Sequence, residues 1–224
     1  LDPVALPHRC DGCEQRFTVE HAMCCKKGGL VTLRHNDVMA EWHHLCALAL
    51  TPSVVSDEPL INTGRDNREE MRQSAEPPKE LRGDVSVHGF WAKGQTAIFD
   101  IRVTDVDARS YRSTDTKKVL RRHEEEKKKL YNDACLARHR SFTPLVFSVD
   151  GLRGQECEAA SKRLASLRAA KWSRTYSEVC GFVRSRLALS LARSASRCLR
   201  GDRNPVHRSP ITGWESGAGL ALFR

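Results

Sequence analysis

The chain has 224 residues, 40% of them hydrophobic, so it can bury a core and is not a disordered tail. Its 37 Lys and Arg residues outnumber its 28 Asp and Glu residues, and the formal net charge of +9 favours polyanionic partners, with nucleic acid ahead of an anionic membrane. No apolar run approaches the roughly 20 residues that cross a bilayer, and the first residues lack a signal-peptide pattern. We therefore expect an intracellular protein with no membrane partner.

The nine cysteines include a cluster close to the N-terminus. An odd total, with the remaining cysteines scattered singly, argues against a disulfide framework. The cluster has the form C-x2-C-x7-H-x3-C. It predicts a closed, structural zinc site with three thiolates and one imidazole, at Cys10, Cys13, His21 and Cys25. The alternative is a reduced cluster without a metal.

Cys24 competes with Cys25 for the fourth ligand position. The spacing lets His21 and Cys25 share one face of a helix that Thr18 opens, whereas Cys24 lies three positions after His21 and is less well aimed. We therefore prefer Cys25.

An amphipathic helix is predicted from residue 32 to about residue 52, because apolar residues recur there at steps of three and four. His35, His43 and His44 lie on this helix. No cysteine or carboxylate partner stands beside them at ligand spacing. This favours ordinary packed or solvated histidines over a second metal site.

Residues 57–80 are polar and charged and contain Pro and Gly. Such a composition predicts a long surface loop or an insertion between strands. A first strand is expected just before it, around Val54 and Val55.

A β-hairpin, or a pair of adjacent strands, is predicted after the loop. Apolar and polar residues alternate over residues 85–87 and again over 97–103, and residues 89–95 supply the turn. Asp84 opens the first strand and Asp100 lies in the middle of the second. These carboxylates are either solvated or converge to hold a divalent cation such as Mg²⁺.

The remainder of the chain is predicted to be mostly helical. A charged helix follows Ser113, supported by the i,i+4 pairs Glu124/Lys128 and Glu125/Lys129. A nearly continuous apolar run ending in Asp-Gly then predicts a buried central strand over residues 141–151. Two helices follow, over residues 155–172 and 176–200, and a loose tail over 201–224.

The order of these elements describes an α/β domain with a small mixed sheet flanked by helices and preceded by a zinc knuckle. The motifs CDGC, RHN, LRGDV, FDIRV, EKKKLY and FTPLVFSVDG, in this order, resemble the C-terminal region of non-LTR retrotransposon polyproteins. In that family a CCHC zinc knuckle precedes a restriction-like endonuclease of the PD-(D/E)xK type. The resemblance implies a knuckle over residues 8–29 and a restriction-endonuclease-like domain over residues 30–200.

The resemblance also implies a set of catalytic residues. Asp84 matches the acid of the Pro-Asp strand start, although Gly83 stands in place of the proline. Asp100 matches the second acid, and Arg102 stands where D/E-x-K has lysine. In these nucleases the working lysine often lies on the next helix, ahead of a tyrosine, which implies Lys127 here. Glu58 and Asp37 are weaker candidates for an additional carboxylate.

Two functions follow from the resemblance and the charge. The first is an endonuclease that uses Mg²⁺ held by Asp84 and Asp100, with structural Zn²⁺ in the knuckle, to nick target DNA for target-primed reverse transcription. Its expected partners are DNA, with RNA as a second candidate ligand, and an upstream reverse transcriptase in a longer polyprotein; the expected location is the nucleus. The second is a non-catalytic nucleic-acid-binding module, a decayed copy of the nuclease.

Overall fold

The computed structural model describes residues 6–62 and 80–204. The helices are α1 (Val19–Cys24), α2 (Leu30–Ala49), α3 (Thr116–Leu136), α4 (Gln155–Trp172) and α5 (Tyr176–Arg200). The strands are β1 (Val55–Asp57), β2 (Leu60–Asn62), β3 (Leu81–Arg82), β4 (Val85–His88), β5 (Thr96–Thr104) and β6 (Ser141–Ser148). The class is α/β with a small mixed sheet and flanking helices, as the sequence predicts. Within the described ranges, no helix is both long and apolar enough to cross a membrane.

The main sheet has the strand order β1-β4-β5-β6. β4 and β5 form the predicted antiparallel hairpin, with Val85 opposite Phe99 and Val87 opposite Ala97. β6 runs parallel to β5, and α3 makes the crossover between them. Parallel neighbours need such a long connection. The crossover therefore places α3 directly against the strand that carries Asp100.

The two faces of the sheet bury different sets of side chains. Phe99 and Ile101 point into the large core formed with α2, α4 and α5, where Trp42 packs edge-on against Phe99 at 5.3 Å. Ile98, one position earlier, packs on the opposite face in a smaller cluster with Tyr131 of α3. This alternation follows from the two-residue period of a strand. It puts Asp100 on the face that α3 covers.

The position predicted for β6 is wrong. We expected a central strand, but β6 lies at the end of the strand order among the described residues. Its side chains are buried because α3 and α4 cover its two faces. A continuous apolar run therefore indicates that both faces of the strand are buried, and not that the strand is central in the sheet. Pro144 within the strand indicated an edge position.

The segment predicted as a loop or insertion, residues 57–80, contains the strand β2 and is followed at once by β3. β2 and β3 pair with each other in a separate two-stranded sheet, with Leu60 opposite Arg82. Residues 63–79 lie outside the described residues, so the prediction for them stays a prediction. β1 confirms the first strand, although it begins at Val55.

The start of the predicted tail is held against the knuckle. Arg203 is only 1% exposed, donates to the carbonyl oxygen of Ala22 at 3.1 Å and stacks over Phe17. The backbone N–H groups of Arg203 and Asn204 both donate to the Asp11 carboxylate. The loose tail predicted from residue 201 therefore does not apply to residues 201–204. Residues 205–224 lie outside the described part of the chain.

Candidate metal centre and candidate active site

The four predicted knuckle ligands lie together. Their ligand atoms are all within 4.8 Å of one another, at Cys10, Cys13, His21 and Cys25. The Sγ atom of Cys25 is 3.9 Å from the Sγ atoms of both Cys10 and Cys13, and Nε2 of His21 is 3.3 Å from Sγ of Cys13. A tetrahedral zinc ion with Zn–S bonds of about 2.3 Å separates its sulfur ligands by about 3.8 Å. The cluster therefore fits a metal such as zinc.

The geometry selects Cys25 over Cys24, as predicted. Thr18 caps α1 by accepting a hydrogen bond from the backbone N–H of His21 at 3.1 Å. The Cys25 side chain is buried in the cluster, whereas the exposed Cys24 thiol lies near Asp105, 3.9 Å from its Oδ2 atom. Cys24 therefore does not belong to the cluster.

The surroundings of the cluster favour a thiolate at Cys10. Burial raises the pKa of this thiol, but hydrogen bonds from the backbone of Gly12 and from His21 outweigh it and lower the pKa to about 7. Thiolate is the form that binds metals. The cluster also packs on Phe17, Ala22 and Leu199, which joins the knuckle to the end of α5.

The second group of predicted site residues lies where the start of β4 faces the middle of β5. The backbone N–H of Asp84 donates to the carbonyl oxygen of Phe99 at 2.9 Å, which aligns the two strands. Oδ2 of Asp84 accepts a hydrogen bond from the backbone N–H of Ile101, the residue after Asp100. The two carboxylates are thus held by one pair of neighbouring strands.

Lys127 and Tyr131 reach the same place from α3. Nζ of Lys127 lies 2.5 Å from Oδ2 of Asp100 and 5.6 Å from the centre of the Tyr131 ring. The Tyr131 ring stacks on Phe142 of β6, with centroids 5.0 Å apart. This stacking fixes the rotation of α3. The structure therefore brings Asp84, Asp100 and Lys127 together.

Asp100 is buried and is paired with one cation. It is 4% exposed, and Nζ of Lys127 lies at ion-pair distance from its Oδ2 atom. Burial raises the pKa of the Asp100 carboxyl, and the neighbouring charge of Asp84 raises it further, against the opposing effect of Lys127. A buried carboxylate beside a second carboxylate is costly unless a cation accompanies it. Carboxylate oxygens are the donor type that Mg²⁺ takes, so the residue types of Asp84 and Asp100 suit this ion, while Lys127 is the cation that lies beside Asp100.

Arg102 pairs with a different carboxylate. Its guanidinium donates to the Glu126 carboxylate at 2.8 Å, in a pair that is partly open to solvent. Arg102, which the resemblance places at the lysine position of D/E-x-K, is therefore engaged by α3 and not by Asp100.

The two weaker carboxylate candidates, Asp37 and Glu58, lie in different places. Asp37 pairs with Arg197 of α5, with NH1 to Oδ2 at 2.8 Å, so it is engaged at a different interface. Glu58 is exposed, and its backbone N–H donates to the carbonyl oxygen of Asp84 at 2.9 Å. Of the two, only Glu58 lies next to a predicted catalytic residue.

His35 is a member of this group that sequence reasoning missed. We expected an ordinary packed or solvated histidine, yet its Nε2 lies 3.1 Å from Oδ2 of Asp84. The Asp84 carboxylate raises the pKa of His35, with burial opposing. The two residues are 49 positions apart in the sequence, so ligand spacing could not find the pair. The RHN motif was the available signal.

Exposed basic side chains lie on the same helix as Lys127. Lys117, Lys118 and Lys129 are exposed on α3, whereas the ammonium group of Lys128 contacts the Glu156 carboxylate at the start of α4. Exposed lysines attract phosphates without sequence preference. The helix that reaches Asp100 therefore also offers a surface suited to a polyanion.

Comparison with known proteins gave no relative: no family model matches the chain, and no curated protein matches it.

Proposed function

We propose that this chain is a metal-dependent endonuclease that nicks DNA. The observation that carries the proposal is the buried Asp100 carboxylate, which lies beside Asp84 and has Lys127 as its cation. Paired carboxylates together with a lysine are the residue types that metal-assisted phosphodiester hydrolysis requires. The resemblance to the restriction-like nuclease region of non-LTR retrotransposon polyproteins supports the same activity.

Each residue has a definite task in this proposal. Asp84 and Asp100 hold the divalent cation. That cation, when bound, supplies a Lewis acid for the scissile phosphate and a water of lowered pKa. Lys127 keeps a positive charge beside Asp100, where it offsets the negative charge that develops on the phosphate. Arg102 is held by Glu126, and a guanidinium does not give up a proton at working pH. It therefore adds positive charge near the site and takes no part in proton transfer.

Binding of DNA is ascribed to charge. The exposed lysines of α3 lie on the element that carries Lys127, so a duplex held there would bring its backbone to the acidic pair. The zinc knuckle is a second nucleic-acid-binding element in this proposal. In the wider context of this proposal, the nick primes reverse transcription by an upstream reverse transcriptase in the nucleus, and RNA is a second candidate ligand.

One observation favours the alternative of a non-catalytic binding module. Lys127 already neutralises Asp100, so the pair is electrostatically satisfied without a cation. A decayed nuclease could keep this ion pair for stability alone. Both functions require nucleic-acid binding, so binding does not distinguish them.

Cleavage distinguishes the two functions. The zinc-loaded protein is incubated with supercoiled plasmid and Mg²⁺, and conversion to the nicked circle is followed on gels. We expect the unmutated chain to nick the plasmid. We expect no nicking when a chelator is added shortly before Mg²⁺ and exceeds the Mg²⁺ concentration. We also expect no nicking by Asp100→Asn. Asp37→Asn is a matched control, because it removes a carboxylate that pairs with Arg197. A protein that binds DNA and never nicks with Mg²⁺ or Mn²⁺ would establish the binding module.

A further inference from the structure

His35 and Asp84 form a hydrogen-bonded pair at the edge of the proposed active site. Nε2 of His35 lies 3.1 Å from Oδ2 of Asp84, and the Asp84 side chain is 19% exposed. A carboxylate oxygen only accepts, so Nε2 of His35 donates. The other ring nitrogen, Nδ1, lies 3.3 Å from Oδ1 of Asn36. The imidazole is therefore held on both sides.

The same carboxylate oxygen receives a second hydrogen bond. Oδ2 of Asp84 also accepts from the backbone N–H of Ile101. Two donors that converge on one oxygen fix the rotation of the carboxylate. The other oxygen, Oδ1, accepts no hydrogen bond from the residues that the structure describes, so it is the oxygen available to a cation.

We propose that His35 is a positioning residue that orients Asp84 so that Oδ1 is presented to the divalent cation. The proposal rests on the proposed function, because it gives His35 a role only if Asp84 holds a metal. Hydrogen bonds to a ligating carboxylate hold it in the geometry that the cation needs, and losing such a partner typically costs about 10- to 100-fold in metal affinity or activity. His35 acts through Asp84 and does not itself bind the cation.

The same helix provides a matched control. His43, also on α2, pairs through Nδ1 with the Asp57 carboxylate at the end of β1. This second histidine–aspartate pair has the same chemistry and comparable exposure of the histidine, 28% against 33% for His35. A change at His43 therefore reproduces the loss of a histidine–aspartate bond without touching Asp84.

The test measures Mn²⁺ binding to the full, zinc-loaded chain by the loss of the free Mn²⁺ signal in electron paramagnetic resonance. We expect His35→Ala to weaken Mn²⁺ binding by about tenfold or more, and His43→Ala to leave it unchanged. His35→Gln restores most of the affinity, because its amide nitrogen can donate where Nε2 does. A purely structural role for His35 would not be rescued selectively in this way. Unchanged Mn²⁺ affinity in His35→Ala would overturn the proposal.

Cleavage separates this proposal from the proposed function. In plasmid nicking, His35→Ala should raise the Mg²⁺ concentration for half-maximal rate and leave the rate at saturating Mg²⁺ close to that of the unmutated chain. If the unmutated chain binds Mn²⁺ in a way that requires Asp84 but does not nick, the nuclease proposal fails and the role of His35 stands on the binding data. If the unmutated chain binds Mn²⁺ no more tightly than the Asp84→Asn variant does, both proposals are wrong.

Discussion

Lys127 of α3 reaches Asp100 of β5, with Nζ 2.5 Å from Oδ2. The contact exists because the β5–β6 crossover lays α3 on the face of the sheet that Asp100 occupies. Tyr131, one helical turn further along, stacks on Phe142 and so fixes which side of α3 faces the strand. The crossover and the stack thus bring a lysine to Asp100, whereas Arg102, two positions after Asp100 in the same strand, pairs with Glu126.

Metal content should follow the knuckle ligands and not the total number of cysteines. The purified, reduced chain is expected to carry about one zinc. Cys10→Ser and His21→Ala should lose the metal and unfold the knuckle at lower temperature, because the metal-binding energy of such a module is also folding energy. Cys24→Ser is the matched control, since its thiol lies outside the cluster. Less than a tenth of an equivalent of metal in the unmutated chain would rule out the zinc site.

DNA binding should be electrostatic and should depend more on Lys129 than on Lys128. Lys129 is exposed, whereas Lys128 contacts Glu156. Replacing Lys129 with alanine should reduce the slope of log affinity against log salt by up to about 0.9. The Lys128→Ala variant should change the slope less. An affinity that does not change between low and moderate salt would contradict this prediction.

His123 should make the stability of the chain fall on acidification. The side chain is buried between Thr104 and Tyr111, with both ring nitrogens 3.1 Å from a hydroxyl oxygen. Burial, and then the charge of Arg102, lower the pKa of His123 from 6.5 to about 4. As the pH falls from about 6.5 to about 4, His123 of the unfolded chain takes up a proton that His123 of the folded chain does not. The free energy of unfolding should therefore decrease, by at most about 1.4 kcal/mol per pH unit.

The comparison for this prediction is His123→Gln, which does not titrate. Chemical denaturation at pH 7 and pH 5 should show a smaller loss of stability in His123→Gln than in the unmutated chain. Glu126 and Arg122 also act on His123 and are retained in both proteins. Identical losses in the two proteins would show that another group carries the pH dependence.

The start of α4 depends on a carboxylate from α3. Oε1 of the buried Glu124 accepts the backbone N–H of Glu156 at 2.9 Å, and Gly154 provides no side-chain cap. A Cβ atom at Gly154 would overlap the Glu124 carboxylate. Gly154→Ala should therefore displace this cap and destabilise the fold by about 1–3 kcal/mol. Gly181→Ala in α5 meets open space and should stabilise by up to about 1 kcal/mol. Equal effects of the two substitutions on denaturation would contradict the capping role.

Local patterns predicted the parts of the molecule whose geometry is set by neighbours in the sequence. The spacing of His21 and Cys25 predicted the Cys/His cluster, because His21 lies in α1, which Thr18 caps, and Cys25 directly follows that helix as its C-cap residue. The alternation of apolar and polar residues predicted the β4–β5 hairpin, because its two strands are neighbours in the sequence. These are short-range constraints, so composition and spacing carry them.

Contacts between distant segments were not predictable in this way. Glu124 was expected to pair with Lys128 on a solvated face, but the crossover buries it at the start of α4, and Lys128 contacts Glu156 instead. His35 meets Asp84 only because α2 packs beside the start of β4. Nothing in the local sequence specifies either neighbour. The edge position of β6 was likewise decided by strand order and not by its apolar composition.

The most direct measurement of the central claim is plasmid nicking with Mg²⁺ by the unmutated chain and by two cation variants, Lys127→Ala and Arg102→Ala. Lys127 is the cation at Asp100, whereas Arg102 is held by Glu126. We predict that nicking vanishes in Lys127→Ala and survives in Arg102→Ala, reduced by about ten- to a hundredfold because a charge-stabilising group is lost. Full activity in Lys127→Ala with none in Arg102→Ala would contradict the assignment of the catalytic cation.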